Sequence, residues 1–298
     1  MKNIITLFSM MLFLAVGKAQ TKTTVAFIPM SFDEESISKS DAKVVQETVM
    51  NGFVNSKRFT IVDRDKLEAL EKEKNLQRTE SFMDSQDGFT DGLSKGANYL
   101  IDGTIMDVRH SEVNNKWTSN IAVQLRMLDV STGEILSTAM VTSDFVPESD
   151  LVKKAIKSHF SKNEVKALEA REEMLQTSKD YQKDAFNVAL IRLTDNVNRF
   201  TSSISPLHVE IISWDTKKNE LVLGAGSAMG VHSGQIADIV KFSEITIGDQ
   251  EVKRSEVIGS AWIIRVDDQN FSVATIIDNL KGILKVSKTG EKIGVIIR

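Results

Sequence analysis

The hydrophobic pattern of the chain changes its period near residue 200. Before that point, apolar residues recur at helical spacing in long stretches that are separated by short strand-like runs. From Leu207 the period is two, and short β-rich runs alternate with Gly, Asp and Asn. The 298 residues also exceed the roughly 100–200 of an average domain. We therefore predict an α+β domain over residues 20–203 and a small all-β domain over residues 204–298.

The first domain is predicted to be a mixed sheet covered by helices. Strand-like runs at residues 24–30 and 59–62 flank an amphipathic helix that Ser40 or Asp41 would cap. Asn114-Asn115 and Ser131-Thr132-Gly133 mark turns of an antiparallel meander. The other predicted elements are helices at 65–74 and 89–95 and strands at 99–108, 119–130 and 134–145.

The second domain is predicted to be a small barrel or curled sheet. Many short strands separated by turn residues are typical of such folds. The strand-like runs lie at residues 208–212, 220–223, 236–240, 257–266 and 271–277.

A strongly charged helical arm is predicted over residues 149–183. Its apolar residues form one narrow stripe. The arm is either a solvated helix or an interaction arm whose stripe binds a partner. This stripe is the candidate interaction site, and it consists of Leu151, Val152, Ala155, Ile156 and Phe160.

Residues 1–19 have the pattern of a secretion signal. Lys2 supplies the positive start, residues 4–16 are apolar, and Gly17-Lys18-Ala19 places small residues where a signal peptidase cuts. The apolar run is shorter than the roughly 20 residues that a membrane span needs. We expect an exported protein of the periplasm or outer-membrane periphery, without a transmembrane helix.

Composition excludes several kinds of site and partner. The chain has no cysteine, which rules out disulfides, thiolate metal sites and a lipid-carrying cysteine, so we expect no lipid anchor. The net charge of −4, without a basic block, argues against nucleic acid. No histidine pair has metal-binding spacing. Asp33-Glu34-Glu35 is better explained as solvated surface than as a calcium site, because no glycine-turned loop surrounds it.

Two segments suggest chemistry, and each has a simpler structural explanation. The glycines of the segment 224–230 follow the spacing GxGxxxG, but no βαβ unit follows them, so turns are favoured over phosphate binding. His232 and Asp238, with Ser227 or Ser233, could form a hydrolytic triad, but no GxSxG elbow is present. We therefore expect no catalytic, cofactor-binding or metal site, and we expect that the protein is not an enzyme.

Three phrases in order resemble the curli-secretion channel family of the CsgG type. They are Ile61-Val62-Asp63-Arg64, the segment from Gly96 to Ile105 and the segment from Leu125 to Leu136. The resemblance spans roughly residues 23–200 and implies a CsgG-like fold, of the class also described as TolB-N-terminal-like or anticodon-binding-domain-like. The same fold class recurs in outer-membrane activators of peptidoglycan synthases. The second domain resembles the SH3-like C-terminal domain of the flagellar ring protein FlgT.

The chain departs from the channel members of this family in two ways. Those members are lipoproteins, and they extrude long hairpins that build a shared barrel. Here the cysteine is missing, the hairpin around Asn114-Asn115 is expected to be short, and the second insertion, residues 148–183, is helical and charged. A pore is therefore not expected.

The resemblance leads to three hypotheses about function. The first is a non-catalytic envelope protein that scaffolds or assembles an outer-membrane or periplasmic structure or secretion apparatus, as a homo-oligomer with other envelope proteins as partners. The alternative is a periplasmic regulator that binds and activates an envelope enzyme such as a peptidoglycan synthase. The third is a hydrolase that uses His232 and Asp238.

Overall fold

The structure is a computed structural model that describes residues 22–63, 97–247 and 250–298. The predicted secretion signal, the predicted helices at 65–74 and 89–95, and the residues Arg64 and Gly96 of the family phrases lie outside these ranges.

The first unit is one mixed sheet with helices. Its strands are β1 (Thr23–Phe27), β2 (Ser31–Phe32), β3 (Phe59–Asp63), β4 (Tyr99–Val113), β5 (Lys116–Asp129) and β6 (Ile135–Thr142). Its helices are α1 (Lys39–Asn55), α2 (Asp150–His159), α3 (Lys162–Gln176) and α4 (Gln182–Ile204). The strand order is β3-β1-β4-β5-β6, with β2 beside β4. β1 runs parallel to β3 and β4, whereas β4, β5 and β6 are antiparallel, as the meander predicted.

Helices α1 and α4 pack side by side against one face of this sheet. Phe53 and Leu193 are fully buried in the core that the two helices share with the sheet. Gly52 allows the close approach, because a β-carbon there would lie 2.5 Å from Cγ1 of Val197. Helix α1 begins after Ser38, whose hydroxyl accepts a hydrogen bond from the N–H of Asp41. The predicted caps Ser40 and Asp41 were therefore wrong by two or three residues.

The hairpin of β4 and β5 is longer than the sequence suggested. The predicted turn is confirmed, since Asn114 and Asn115 both have positive φ angles, of 51° and 57°. The strands pair continuously from Tyr99 with Asp129 to Val113 with Lys116, except for one bulge. The prediction of a short hairpin was wrong, because the polar residues 109–112 and then Val113 stay paired right up to the turn.

The second unit is a closed antiparallel barrel. Its strands are β7 (Leu207–Asp215), β8 (Glu220–Leu223), β9 (Ile236–Ile247), β10 (Gln250–Val266), β11 (Ser272–Ile276) and β12 (Lys292–Ile297), and one helix, α5 (Leu280–Ser287), precedes β12. They close in the order β10-β11-β8-β7-β12-β9. The interior is a separate apolar core that includes Leu221, Ile239 and Ile263. Strand β12 and helix α5 were not predicted, and they complete the barrel and its packing.

Candidate interaction surfaces

The apolar stripe of the arm lies on the barrel of the same chain. Val152 is completely buried and Ala155 nearly so, in a cluster with Trp262, Ile264 and Val273 of strands β10 and β11. Ile156 and Phe160 pack against the same cluster. The rings of Phe160 and Trp262 meet edge to face, with centroids 5.6 Å apart. The stripe therefore binds one unit to the other.

The fifth residue of the predicted interaction site is separate from the other four. Leu151 is 47% exposed, although its neighbour Val152 is at 0%. Since the barrel buries or partly buries the four other side chains, Leu151 is the residue of the stripe that is most exposed to an external partner. A partner protein for this stripe stays a prediction.

A glycine turn makes a second contact between the units. Gly230 has a φ of 76°, and a β-carbon there would lie 1.8 Å from the carbonyl oxygen of Ser56. Ser56 is the C-cap of helix α1 and is itself buried. A side chain at residue 230 is therefore incompatible with this contact.

Ion pairs connect the arm to the rest of the first unit. Lys153 of α2 lies 3.2 Å from Glu172 of α3, and Arg171 of α3 lies 3.2 Å from Asp195 of α4. Burial raises the pKa of Glu148, just before α2, and the charge of Glu172 raises it further, while Arg199 opposes both effects. The first ion pair thus holds the two helices of the arm together and the second connects the arm to α4, whereas the contact with the barrel is apolar.

Strand β6 is an edge strand, and no strand pairs with its outer side among the described residues. It pairs with β5 on one side only. The N–H of Ser143 donates a hydrogen bond to the carbonyl of Ile121 in β5. Because the backbone groups of successive residues alternate in direction, those of Val141 and Ala139 also bond to β5. The N–H and C=O groups of Met140 and Thr138 therefore point away from the sheet. Asn196 donates to the outward carbonyl of Thr142 at 2.7 Å, which closes one end of the edge.

Exposed apolar side chains accompany this open edge. Met140 is 54% exposed and, by alternation with the buried Val141, lies on the face that α1 and α4 do not cover, and Leu136, at a bulge of β6, is 48% exposed. On the adjacent strand β5, the neighbouring side chains of this face are polar, and Arg126 donates a hydrogen bond to the side-chain oxygen of Gln124. The apolar surface is thus a strip beside β6. Sequence analysis missed it, because the run of residues 135–141 signals a strand but not its place at the edge.

An open groove lies between α1 and the segment that joins β1 to β2. Its volume is about 560 Å³, and Phe27, Met30 and Met50 line its apolar part. Gln46 accepts a hydrogen bond from the N–H of Met30, and an ion pair of Glu34 with Lys39 stands near the rim. No described contact identifies an occupant for this groove.

The residues of the hydrolytic triad that the sequence suggested make other contacts in the structure. Nδ1 of His232 lies 3.1 Å from the carbonyl oxygen of Ser233, and Asp238 pairs with Arg298 at 3.0 Å. The hydroxyl of Ser233 donates to the carbonyl of Ile264, and that of Ser227 to the carbonyl of Asp268. These hydrogen bonds do not form a nucleophile–base pair.

The glycine-rich segment serves close backbone packing. A β-carbon on Gly226 would lie 2.3 Å from the carbonyl oxygen of Asp268. A single 3₁₀ turn, Ser227–Met229, follows it, and the N–H groups of Ser227 and Ala228 donate to carbonyls of residues 268 and 269. The donors that a phosphate loop would offer are thus already used.

Within residues 22–63, 97–247 and 250–298, no helix combines the length and the apolar character of a membrane span. Across the same ranges, no group of three or more His, Cys, Asp or Glu side chains has the arrangement of a metal site.

A family model gives the most direct comparison with known proteins. The model described as peptidoglycan-synthase activator LpoB matches residues 9–138, fewer than half of the 298 residues. The match spans strands β1 to β5 and the start of β6. It supports the predicted class of envelope protein, but the specific likeness to CsgG or FlgT finds no support. No curated protein matches the chain.

Three solved structures illustrate the local similarity that the chain has to known proteins. The C-terminal domain of LpoB from Salmonella enterica is 19% identical, covers 42% of this chain and 85% of that one, and has a TM-score of 0.24. A lipoprotein of Neisseria meningitidis is 9% identical, with coverages of 50% and 94% and a TM-score of 0.28. The PelC dodecamer of Paraburkholderia phytofirmans is 12% identical, with coverages of 41% and 70% and a TM-score of 0.27.

The family match confirms the predicted location, which is the periplasm or the periphery of the outer membrane.

Proposed function

We propose that this protein is a non-catalytic periplasmic regulator that binds and activates a peptidoglycan synthase. The match of residues 9–138 to the family of peptidoglycan-synthase activators carries this proposal. It favours the regulator, which the sequence offered as the alternative, over the assembly scaffold that the sequence placed first.

The chemistry of the described residues agrees with a role in binding. The only triad that the sequence suggested is divided among structural hydrogen bonds of the barrel. By contrast, the first unit presents an open strand edge with apolar side chains, which is a common means of recognising another protein.

Purified mature protein should be titrated into each purified peptidoglycan synthase of the same organism. We expect one synthase to bind it saturably and to polymerise or cross-link glycan faster in its presence. Heat-unfolded protein at equal concentration serves as the control. If every synthase fails to bind and no rate changes, the proposed function is wrong.

The scaffold hypothesis predicts a different result in the same preparation. Light scattering would then show a large homo-oligomer, and the synthases would not respond. A monomer or small oligomer that activates a synthase favours the regulator.

Two finer proposals concern architecture. We propose that residues 20–203 and 204–298 are separate domains, supported by the separate apolar cores on either side of Ser205. We also propose a CsgG-like arrangement for the first and an SH3-like arrangement for the second, supported by the helix-covered mixed sheet and the small antiparallel barrel. Expression of residues 204–298 alone, followed by thermal unfolding, tests whether the barrel folds independently.

A further inference from the structure

The outer edge of β6 offers backbone hydrogen bonds and apolar contacts in one place. Thr138 and Met140 direct N–H and C=O groups away from the sheet, and no described residue pairs with these groups. The side chains of Leu136 and Met140 are exposed beside them. An added antiparallel strand would pair with these groups and bury both side chains.

The charges along this edge select the kind of strand that fits. Residues 131–148 contain Glu134, Asp144 and Glu148 but no Lys or Arg. If two copies paired through β6 around a twofold axis at Thr138, Glu134 of each copy would lie diagonally across from Asp144 of the other, so acids would approach each other at both ends. Like charges across a strand pair are destabilising, so a second copy fits poorly. A segment with basic residues fits better.

We propose that the β6 edge receives an extended segment of the peptidoglycan synthase, with alternating apolar residues and a basic flank, as an added antiparallel strand. This inference rests on the proposed function and deepens it, since it assigns the binding surface. The backbone bonds supply affinity, and the apolar and acidic side chains of the edge supply selectivity.

Thr138→Pro tests the backbone part of the inference. Proline removes an N–H that points outward, so the bonds between β6 and β5 are kept, and edge strands tolerate proline at such positions. We expect Thr138→Pro to raise the Kd for the synthase at least tenfold and to keep the thermal unfolding midpoint near that of the unaltered chain. Thr138→Val is the matched control, because it keeps the N–H and a β-branched side chain, and it should bind normally.

Two further variants keep the test decisive. Ala139→Pro removes an N–H that faces β5, so it should lower the unfolding midpoint strongly, which checks the alternation on which Thr138→Pro depends. Met140→Glu keeps the backbone and adds an acid to the exposed strip. We expect it to weaken synthase binding at least tenfold, even if Thr138→Pro fails to fold.

The outcomes separate this inference from the proposed function. If the unaltered chain binds no synthase, both are wrong. If it binds and activates a synthase, and folded Thr138→Pro and Met140→Glu do so equally well, only the β6 assignment is wrong. A change in oligomer mass without a change in synthase binding would assign the edge to a second copy and would also overturn the inference.

Discussion

The contact between the arm and the barrel makes a quantitative prediction for Val152→Ala. Val152 is fully buried against the barrel, whereas Leu151, one residue earlier on the same helix, is 47% exposed. Leu151→Ala is therefore a matched control in the same helical turn. Both changes shorten an apolar side chain, but only the first opens a cavity at the contact.

The expected cost follows from the two methyl groups that Val152→Ala removes. Each buried methyl costs roughly 0.5–1.5 kcal/mol, which gives about 1–3 kcal/mol. Alanine recovers up to about 0.5 kcal/mol, because it is the better helix former. The net loss of about 1.5 kcal/mol corresponds to roughly a tenfold change in an equilibrium constant. The exposed control should stay within about 0.5 kcal/mol.

Amide hydrogen exchange of the purified protein, read by mass spectrometry on peptides from α2, measures this difference. We expect about tenfold less protection of residues 150–159 in Val152→Ala, because the opening of the arm becomes easier. Leu151→Ala should change the protection about twofold at most. Equal protection in the two variants would show that α2 does not rest on the barrel through Val152.

Three further predictions concern single features of the fold. Gly230→Ala should lower the thermal unfolding midpoint far more than Gly234→Ala. Both glycines have a positive φ, but only at Gly230 would a β-carbon collide with Ser56. Equal losses of stability in the two variants would contradict this contact. The pKa of Glu148 is raised in the folded protein, so ionisation of this side chain destabilises the fold as the pH rises from the unfolded-state pKa of about 4.5 through the higher folded-state pKa. Glu148→Gln should therefore raise the free energy of unfolding at pH 7 and leave it unchanged below pH 4. A gain in stability that occurs only at low pH would contradict this prediction. Ser161→Ala removes the capping box of α3 and should lower the stability of that helix by about 1 kcal/mol, seen as faster hydrogen exchange in its first turn but not in α4.

The sequence predicted the elements that depend on local chemistry. The Asn114-Asn115 turn was correct, because asparagine tolerates the positive φ that a two-residue hairpin needs. The change of period near residue 200 indicated helices before that point and short strands after it, because burial on one face gives helices and strands different periods.

The errors arose where distant residues decide the local structure. Residues 109–112 are polar and do not have the pattern of a strand, yet the turn and the opposite strand keep them paired. Strand β12 was missed although residues 292–297 are mostly apolar. Gly294 weakens its strand signal, but in the barrel this glycine makes room for Phe242, whose ring would lie 2.6 Å from a β-carbon there.

The candidate surfaces show the same dependence on distant residues. The apolar stripe on the arm was visible in the sequence, but its cover, Trp262, lies about a hundred residues later, and period alone cannot distinguish a partner from another part of the chain.

The β6 edge presents the opposite case. The sequence shows directly that residues 131–148 contain no Lys or Arg. This charge bears on binding only because the strand order places β6 at the edge of the sheet, with a neighbouring strand on one side. The same acids beside a strand in the middle of a sheet would describe only the local surface charge. Here Glu134 and Asp144 flank the two ends of an edge strand, and the outward N–H and C=O groups of Thr138 and Met140 have no partner among the described residues. Together these features favour an apolar strand with a basic flank as the segment that binds there.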